Sequence, residues 1–266
     1  MSLVVLDHAT KRFMTSSGGL HTAVSEVSLT VEAGEFVAVV GPTGCGKSTT
    51  LSLISGLEPP SEGTATVAGK PVTGIPDGVG YMFQTDAMLP WRTVLGNVAA
   101  GPMWRGVAKD KARDQAREWI ERVGLKGFEN YYMHQLSGGM RKRVALAQTL
   151  VNNPSILLMD EPFSALDVQT RALMQNELLN LWSDTNAAVV FVTHDLEEAI
   201  TLADRVVVMT ASPARIKDVF TINLPRPRNV EEIRMTPEFI AIYSEVWQSL
   251  SSEVEIARTT GANRVA

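Results

Sequence analysis

Residues 41–50 read Gly-Pro-Thr-Gly-Cys-Gly-Lys-Ser-Thr-Thr, and Gly41, Gly46, Lys47 and Ser48 stand at the spacing GxxxxGK[ST]. Small residues at this spacing let successive backbone N–H groups curl around a phosphate, while the helix that follows points its positive end at the same anion. Lys47 can reach the β and γ phosphates and the Ser48 hydroxyl can ligand Mg²⁺. A chance match arises in roughly one chain in a hundred of this length. The apolar run Glu35–Val40 before the motif and the helical run after it are context that chance does not supply. A second cluster follows Ile156-Leu157-Leu158-Met159, where four apolar residues end in Asp160-Glu161. That places two carboxylates at the carboxyl end of a buried strand, where α/β sheets bind ligands. Asp160 can hold Mg²⁺ through its water, and Glu161 can polarise an attacking water as general base. Acidic caps on strand ends are common, so it is the pairing with the phosphate loop that favours chemistry. A third cluster is Leu136-Ser137-Gly138-Gly139-Met140. Ser137 suits a helix N-cap, but two glycines in a first turn cost roughly 1 kcal/mol each relative to alanine. Close approach of their N–H groups to an anion is the expected offset to that cost.

Three elements must carry these clusters: a strand before Gly41 with a helix from Gly46 to about Ser55, a strand at Ile156–Met159, and a helix from Ser137. Around them, Leu3–Leu6 and Val24–Val31 read as strands, 63–68 and 70–72 as a hairpin about Ala68-Gly69, and Val79–Phe83 as a further strand. Residues 88–154 read as a helical insertion, with Ala112, Ala116, Trp119, Ile120 and Val123 on one face and Gly124 as the stop. Beyond it the chain alternates helix and strand: Val168–Trp182 capped by Asp167, then 187–193, 196–203, 206–210 and an edge strand within 215–224. The alternation predicts an α/β sheet. Pro225–Arg228 reads as a linker and Thr236-Pro237 as the start of a last helix, its apolar face Phe239, Tyr243, Trp247, Leu250 and Val254. The tail from Thr259 is expected to fray.

Composition narrows the function classes. The chain has 266 residues, 45% hydrophobic and 20% charged, with a net charge of −5. Broad electrostatic attraction to nucleic acid is not expected. The single cysteine, Cys45, excludes an intrachain disulfide and fits a reducing compartment. At a helix N-terminus inside a phosphate loop it is expected to favour the thiolate, to react with thiol reagents and to be protected by a bound nucleotide. The N-terminus lacks a signal-peptide pattern and the apolar runs are too short to span a bilayer. Any membrane role is therefore expected to be peripheral, through a partner.

Phe13, the 41–49 loop, Gln84, LSGGM at 136–140, ILLMDE at 156–161, Ser164-Ala165-Leu166-Asp167 and His194 occur in the order and approximate spacing of the ATP-binding subunits of ABC transporters, and residues 1 to about 220 resemble that family. The stretch Met82–Val98 and the tail Leu224–Arg228 resemble its nitrate, sulfonate and taurine importer branch. The resemblance implies a P-loop NTPase core, a RecA-like sheet with an antiparallel β subdomain and the helical insertion, over 1–220, and a linker and helical tail over 221–266. It implies that Phe13 stacks on adenine and that Gly41, Pro42, Thr43, Gly44, Cys45, Gly46, Lys47, Ser48 and Thr49 hold the phosphates. It places Ser48, Gln84 and Asp160 about Mg²⁺, makes Glu161 the base, and brings His194 to the γ-phosphate. Ser137, Gly138 and Gly139 would bind ATP held by a second copy, with Asp167 at the dimer seam and at a helix N-cap. Alone, Phe13 would read as a core aromatic and His194 as a helix-capping neighbour of Asp195. Thr43 replaces the usual Ser, and Met140 the usual Gln. ATP and Mg²⁺, a second copy, membrane permease subunits and, indirectly, a solute-binding protein are the implied ligands and partners, with no nucleic acid, at the cytoplasmic face of the inner membrane. A nucleic-acid or assembly ABC ATPase would carry a long coiled-coil insertion or tandem cassettes, and a small-molecule kinase would not explain LSGGM. In the connection after Gln84, Leu95 and Val98 are expected to pack the insertion on the core. Trp91, between Pro90 and Arg92, is expected to stand exposed as an interface anchor.

Overall fold

Two sheets organise the chain in the computed structural model, which describes residues 2–262 apart from 17 and 86. In the first, β1 (Ser2–Met14) pairs antiparallel with β2 (Leu20–Glu32) and β4 (Glu62–Val67), and β5 (Lys70–Pro71) completes the order β2-β1-β4-β5. β1 extends well beyond the expected Leu3–Leu6. Its register shifts between Leu6 and Ala9 and again around Lys11, and such bulges break the period-2 alternation that marks a strand in sequence.

The second sheet contains β3 (Phe36–Val40), β6 (Val79–Met82), β7 (Ile156–Asp160), β8 (Ala188–Val192), β9 (Arg205–Met209) and β10 (Ile216–Thr221), in the order β10-β9-β3-β8-β7-β6. All neighbours are parallel except the edge strand β10. β3, β7 and β8 are buried along their whole length, as a sheet covered on both faces requires. Their alternate residues serve two cores. Val37, Val39, Ile156, Leu158, Val190 and Val192 face the antiparallel sheet and α1 (Lys47–Ser55). Phe36, Ala38, Leu157, Met159, Val189 and Phe191 face the helices.

Those helices include the insertion, α2 (Val94–Val98), α3 (Ala100–Trp104), α4 (Lys109–Arg122) and α5 (Gly138–Leu150). Ala112, Ala116, Trp119 and Ile120 are the buried face of α4, and Gly124 at φ 69° follows its end. Leu95 and Val98 are buried as expected. α6 (Val168–Ser183) and α7 (Leu196–Leu202) complete that layer, each capped by an aspartate: Asp167 accepts from the N–H of Thr170, and Asp195 from those of Glu197 and Glu198.

The segment read as a linker is firmly attached instead. Arg228 is buried, and its guanidinium donates to the carbonyls of Ile200, Thr201, Ala203, Ile222 and Leu224 at 2.7–3.4 Å. Arg226 pairs with Asp204 at 2.6 Å and lies over the Trp182 ring. Pro and Arg read as solvated linker composition in sequence; the carbonyls that recruit Arg228 come from the end of α7 and from the segment just after β10 and are invisible there. After α8 (Val230–Ile233), α9 (Pro237–Ala262) starts at Pro237, the Thr236 hydroxyl accepting from the N–H of Phe239. α9 buries Phe239, Val246 and Leu250, and Glu253 pairs with Lys217 at 2.9 Å and accepts from the Ala211 N–H. The helix continues past Thr259, where fraying was expected; residues 263–266 of that tail lie outside the described residues.

Candidate active site

The parallel sheet delivers two of the three clusters to one place. Gly41–Gly46 leaves the carboxyl end of β3, and Asp160-Glu161 leaves that of β7. Gly44 (φ 74°) and Gly46 (φ 128°) occupy backbone regions closed to side chains, and a Cβ on Gly46 would lie 2.6 Å from the Ala23 carbonyl oxygen. Lys47 is buried and folds back over the loop, donating to the carbonyls of Gly41 (2.8 Å) and Pro42 (3.0 Å). A ring of peptide donors with a lysine at its centre is a phosphate cradle.

The cleft over this cradle has a volume of about 520 Å³ and is lined by Phe13, Thr43, Lys47, Ser48, Gln84, Glu161 and His194, among others. Phe13 comes from β1, far away in sequence, and is half-buried at the cleft edge with the Lys11 ammonium 5.1 Å from its ring. The core reading of Phe13 therefore gives way to a wall of the cleft. The Ser48 hydroxyl donates to Asp160 at 3.0 Å. Burial pushes the Asp160 carboxyl above its usual range, and the Ser48 bond opposes this. Among the described residues no three His, Cys, Asp or Glu side chains cluster to hold a metal by themselves. A Mg²⁺ here fits the mode in which phosphate oxygens supply most ligands and the protein one or two. Ser48, Asp160 and Gln84 are the residues that would flank it.

Glu161 carries the densest set of contacts. Its carboxylate meets His194 Nδ1 at 3.1 Å and accepts from the Gln84 amide at 3.3 Å, while its carbonyl accepts from the Ser164 hydroxyl at 3.0 Å. Its backbone stands at φ 44°, a left-handed conformation that costs a side-chain-bearing residue about 1–3 kcal/mol. The Glu161 N–H donates to the Val192 carbonyl, which helps hold that turn. His194 is thus a neighbour of Glu161 and not the cap of α7, a role Asp195 fills.

Ser137, Gly138 and Gly139 do not line this cleft. Ser137 caps α5, accepting from the Met140 N–H at 3.3 Å, and with Gly138 lies exposed. The two glycines have different reasons. A Cβ on Gly139 would lie 2.7 Å from Thr170 of α6, so Gly139 serves internal packing, whereas a Cβ on Gly138 would meet only the Arg141 guanidinium, at 4.0 Å. Met140 packs on the helical core. Asp167 is exposed on the turn before α6, also outside the cleft.

One expectation is overturned. The Cys45 side chain points into the core between the sheets, 2% exposed, and burial pushes its thiol up. Its N–H donates to the Pro42 carbonyl. Helix polarity favours a thiolate, but desolvation dominates here. Iodoacetamide at pH 8 is therefore expected to modify native Cys45 at least about tenfold more slowly than the urea-unfolded chain, with no change on adding MgATP. Rapid labelling that MgATP blocks would restore the reactive-thiol expectation; mass spectrometry of timed samples decides.

A parallel-sheet core with a lysine-centred phosphate cradle and a strand-end carboxylate pair defines a P-loop nucleotide-hydrolysing protein. Residues 24–164 match the family model described as ABC transporter, and the chain belongs to that family as one of its ATPases. It is 47% identical to an uncharacterized ABC transporter ATP-binding protein of Methanocaldococcus jannaschii, over 90% of this chain and 88% of that one. It is 40% identical to the taurine import ATP-binding protein TauB of Yersinia pestis (88% and 93%) and 42% identical to the aliphatic sulfonates import ATP-binding protein SsuB of Bacillus anthracis (85% and 88%). Its fold is similar to a solved dimeric ATP-binding cassette in a post-hydrolysis state bound to ADP and Pi, with TM-score 0.73 and 30% identity over 84% of this chain and all of that one. A second dimeric structure, of a bacterial ABC transporter cassette, aligns with TM-score 0.74 at 29% identity over 84% of this chain and all of that one.

Proposed function

We propose that this chain is the ATPase subunit of an importer for a small solute of the nitrate, sulfonate or taurine type, working as an ATP-sandwich pair at the cytoplasmic face of the membrane. The observation that carries the pairing is the separation of the clusters. One chain holds the cradle, Glu161 and His194 in its cleft but turns Ser137-Gly138 outward elsewhere, which supports the reading that these two serve a nucleotide held by another copy. When bound, MgATP supplies the phosphoryl chemistry and the metal's charge. Phe13 then offers its ring to the base, Lys47 exchanges its loop carbonyls for phosphate oxygens, and Ser48, Asp160 and Gln84 flank the ion. Glu161 takes the proton of the attacking water, and His194 beside it orients that carboxylate and meets the γ-phosphate. Importer rather than soluble work is supported by the names of the relatives. No helix among the described residues is long and apolar enough to cross a membrane, so transport requires permease subunits, and the solute is selected by those chains and a binding protein.

The permease seat is proposed beside Gln84. There a groove runs between β6 and the insertion, lined by Tyr81, Phe83, Trp104, Ala145 and Gln148. The Arg92 guanidinium lies 5.5 Å from the Trp104 ring, and Trp91 stands 70% exposed next to it in sequence. Trp91→Ala is expected to leave the melting curve and ATP binding of the isolated subunit unchanged while weakening permease assembly by about 2 kcal/mol, as truncation of an aromatic anchor does. Pull-down with the permease beside a melting curve tests this. Early melting with normal pull-down would show Trp91 to be core and remove the seat.

A further inference from the structure

The phosphate loop rests on a floor made by two segments distant in the chain. A Cβ on Gly46 would meet the Ala23 carbonyl oxygen at 2.6 Å, the Ala214 Cβ at 3.0 Å and Val24 at 3.3 Å, and one on Gly41 would meet Met209 at 3.2 Å. Ala23 and Val24 belong to β2, Met209 ends β9, and Ala214 lies on the turn between β9 and β10. Packing this close transmits displacement. The position of the 210–215 turn therefore sets that of Gly46, and with it the peptide donors that face a phosphate. The second half of the turn is stitched to β2: the Ala214 N–H donates to the Ala23 carbonyl, and the Ala214 carbonyl accepts from the Ser25 N–H, both at 2.9 Å.

The first half of the turn is held from α9. Glu253 is buried there, and one carboxylate oxygen accepts from the Ala211 N–H at 2.9 Å while the other meets the Lys217 ammonium of β10 at 2.9 Å. Lys217 also donates to the Ser249 carbonyl (2.9 Å) and the Ser252 hydroxyl (2.6 Å) of the same helix. Burial by itself would raise the Glu253 carboxyl, but the Ala211 N–H and Lys217 outweigh it and hold the group below its usual range, ionised at neutral pH. Its charge reaches the loop itself, where it adds to the rise of the Cys45 thiol. Attachment of α9 does not account for this carboxylate. Phe239, Val246 and Leu250 bury apolar surface for that purpose, and a buried ion pair adds little net stability. We propose that Glu253 is a positioning residue for nucleotide binding: from the tail helix it fixes the 210–215 turn and, through Ala214, the Gly46 end of the phosphate loop. The tail helix thus serves the ATP site without touching the nucleotide.

This role rests on the reading of 41–49 as the phosphate cradle, and the test separates the two. MgATP affinity is measured by titration calorimetry on the full chain and its variants, well below their melting transitions, beside melting curves and steady-state kinetics. Glu253→Ala is expected to weaken MgATP binding about tenfold and to raise the KM in proportion, with kcat within about twofold, the pattern of lost binding without lost chemistry. Glu161 and His194 stand on other elements and keep their places. Glu253→Gln keeps an acceptor for the Ala211 N–H and is expected to recover most of the affinity. Glu253→Asp keeps the charge but is one methylene short of that N–H; it is expected to weaken binding in the same sense, and it decides the question if Glu253→Ala does not fold. Val246→Ala trims the apolar anchor of α9 and is expected to lower Tm with the affinity unmoved, whereas Lys47→Ala is expected to abolish measurable binding. Parent-like affinity in Glu253→Ala, or in Glu253→Asp where the alanine variant does not fold, overturns the positioning role while the cradle stands. So does a loss in Val246→Ala equal to that in Glu253→Ala. Parent-like binding by Lys47→Ala removes the cradle and the positioning role together.

Discussion

Glu161→Gln is expected to reduce ATP hydrolysis on the order of 10²–10⁴-fold, the usual contribution of a general base, while ATP binding survives. The cleft explains why the two separate. Glutamine keeps the shape, and its amide oxygen still accepts from Gln84 at the 3.3 Å contact, but it cannot take a proton. The cradle, Lys47, Ser48 and Phe13 are untouched, so nucleotide enters and remains. With hydrolysis removed the protein is expected to accumulate as an ATP-loaded pair, read as a mass doubling in sedimentation that ADP does not produce. The contact of Glu161 with His194 at 3.1 Å makes His194→Ala the companion measurement. It is expected to lower kcat more than it raises the KM for ATP, since the histidine acts on the reacting end of the nucleotide. Near-wild-type turnover by Glu161→Gln would falsify the assignment of the base.

The second large effect is expected at Arg228. This guanidinium is buried, and burial lowers its pKa to about 10, so it remains charged at neutral pH. Among the described residues it forms no salt bridge, although the nearby Asp204 favours its charge; it donates to five carbonyls, three of them, Ile200, Thr201 and Ala203, at the end of α7. Helix C-termini carry partial negative charge, and a cation there is favourable. Arg228→Met keeps the volume but strips those carbonyls of their donor. Each unmet buried group costs about 1–3 kcal/mol, so a loss of roughly 3 kcal/mol or more is expected. For a chain of this size that is a fall in Tm on the order of 10 °C, measured by calorimetry. α7 begins just after His194, so the same variant is also expected to slow hydrolysis more than it weakens ATP binding. Arg228→Lys, which keeps the charge with fewer donors, should fall between. A Tm within about 1 °C of the parent would mean the carbonyls are met by other donors and that 225–228 is the linker its composition suggests.

Much of this protein was determined locally and is therefore legible in its sequence. The phosphate loop can be read because its geometry is made by adjacent backbone units, and Gly44 and Gly46 are required there whatever surrounds them. The same holds for Ser137 and Asp167 as caps, for Gly124 as a helix stop, and for β3, β7 and β8, whose unbroken apolar runs follow from burial on both faces. The parallel sheet could be anticipated from alternating strands and helices. The bulged length of β1 could not, since its register shifts depend on β2 and β4. Only the tertiary structure decided what environment each polar group meets. Cys45 has the sequence position of a reactive thiol, yet its side chain turns into the core, and desolvation outweighs the helix field. Gly139 answers to Thr170, thirty-one residues away. Glu161 is held at a strained φ by Val192 across the sheet. Arg228 looks like solvated linker until carbonyls at the end of α7 and just after β10 close around it. In each case sequence specifies the donor, the acceptor or the missing side chain, while the energy depends on a partner brought by another element, and distance in the chain hides that partner.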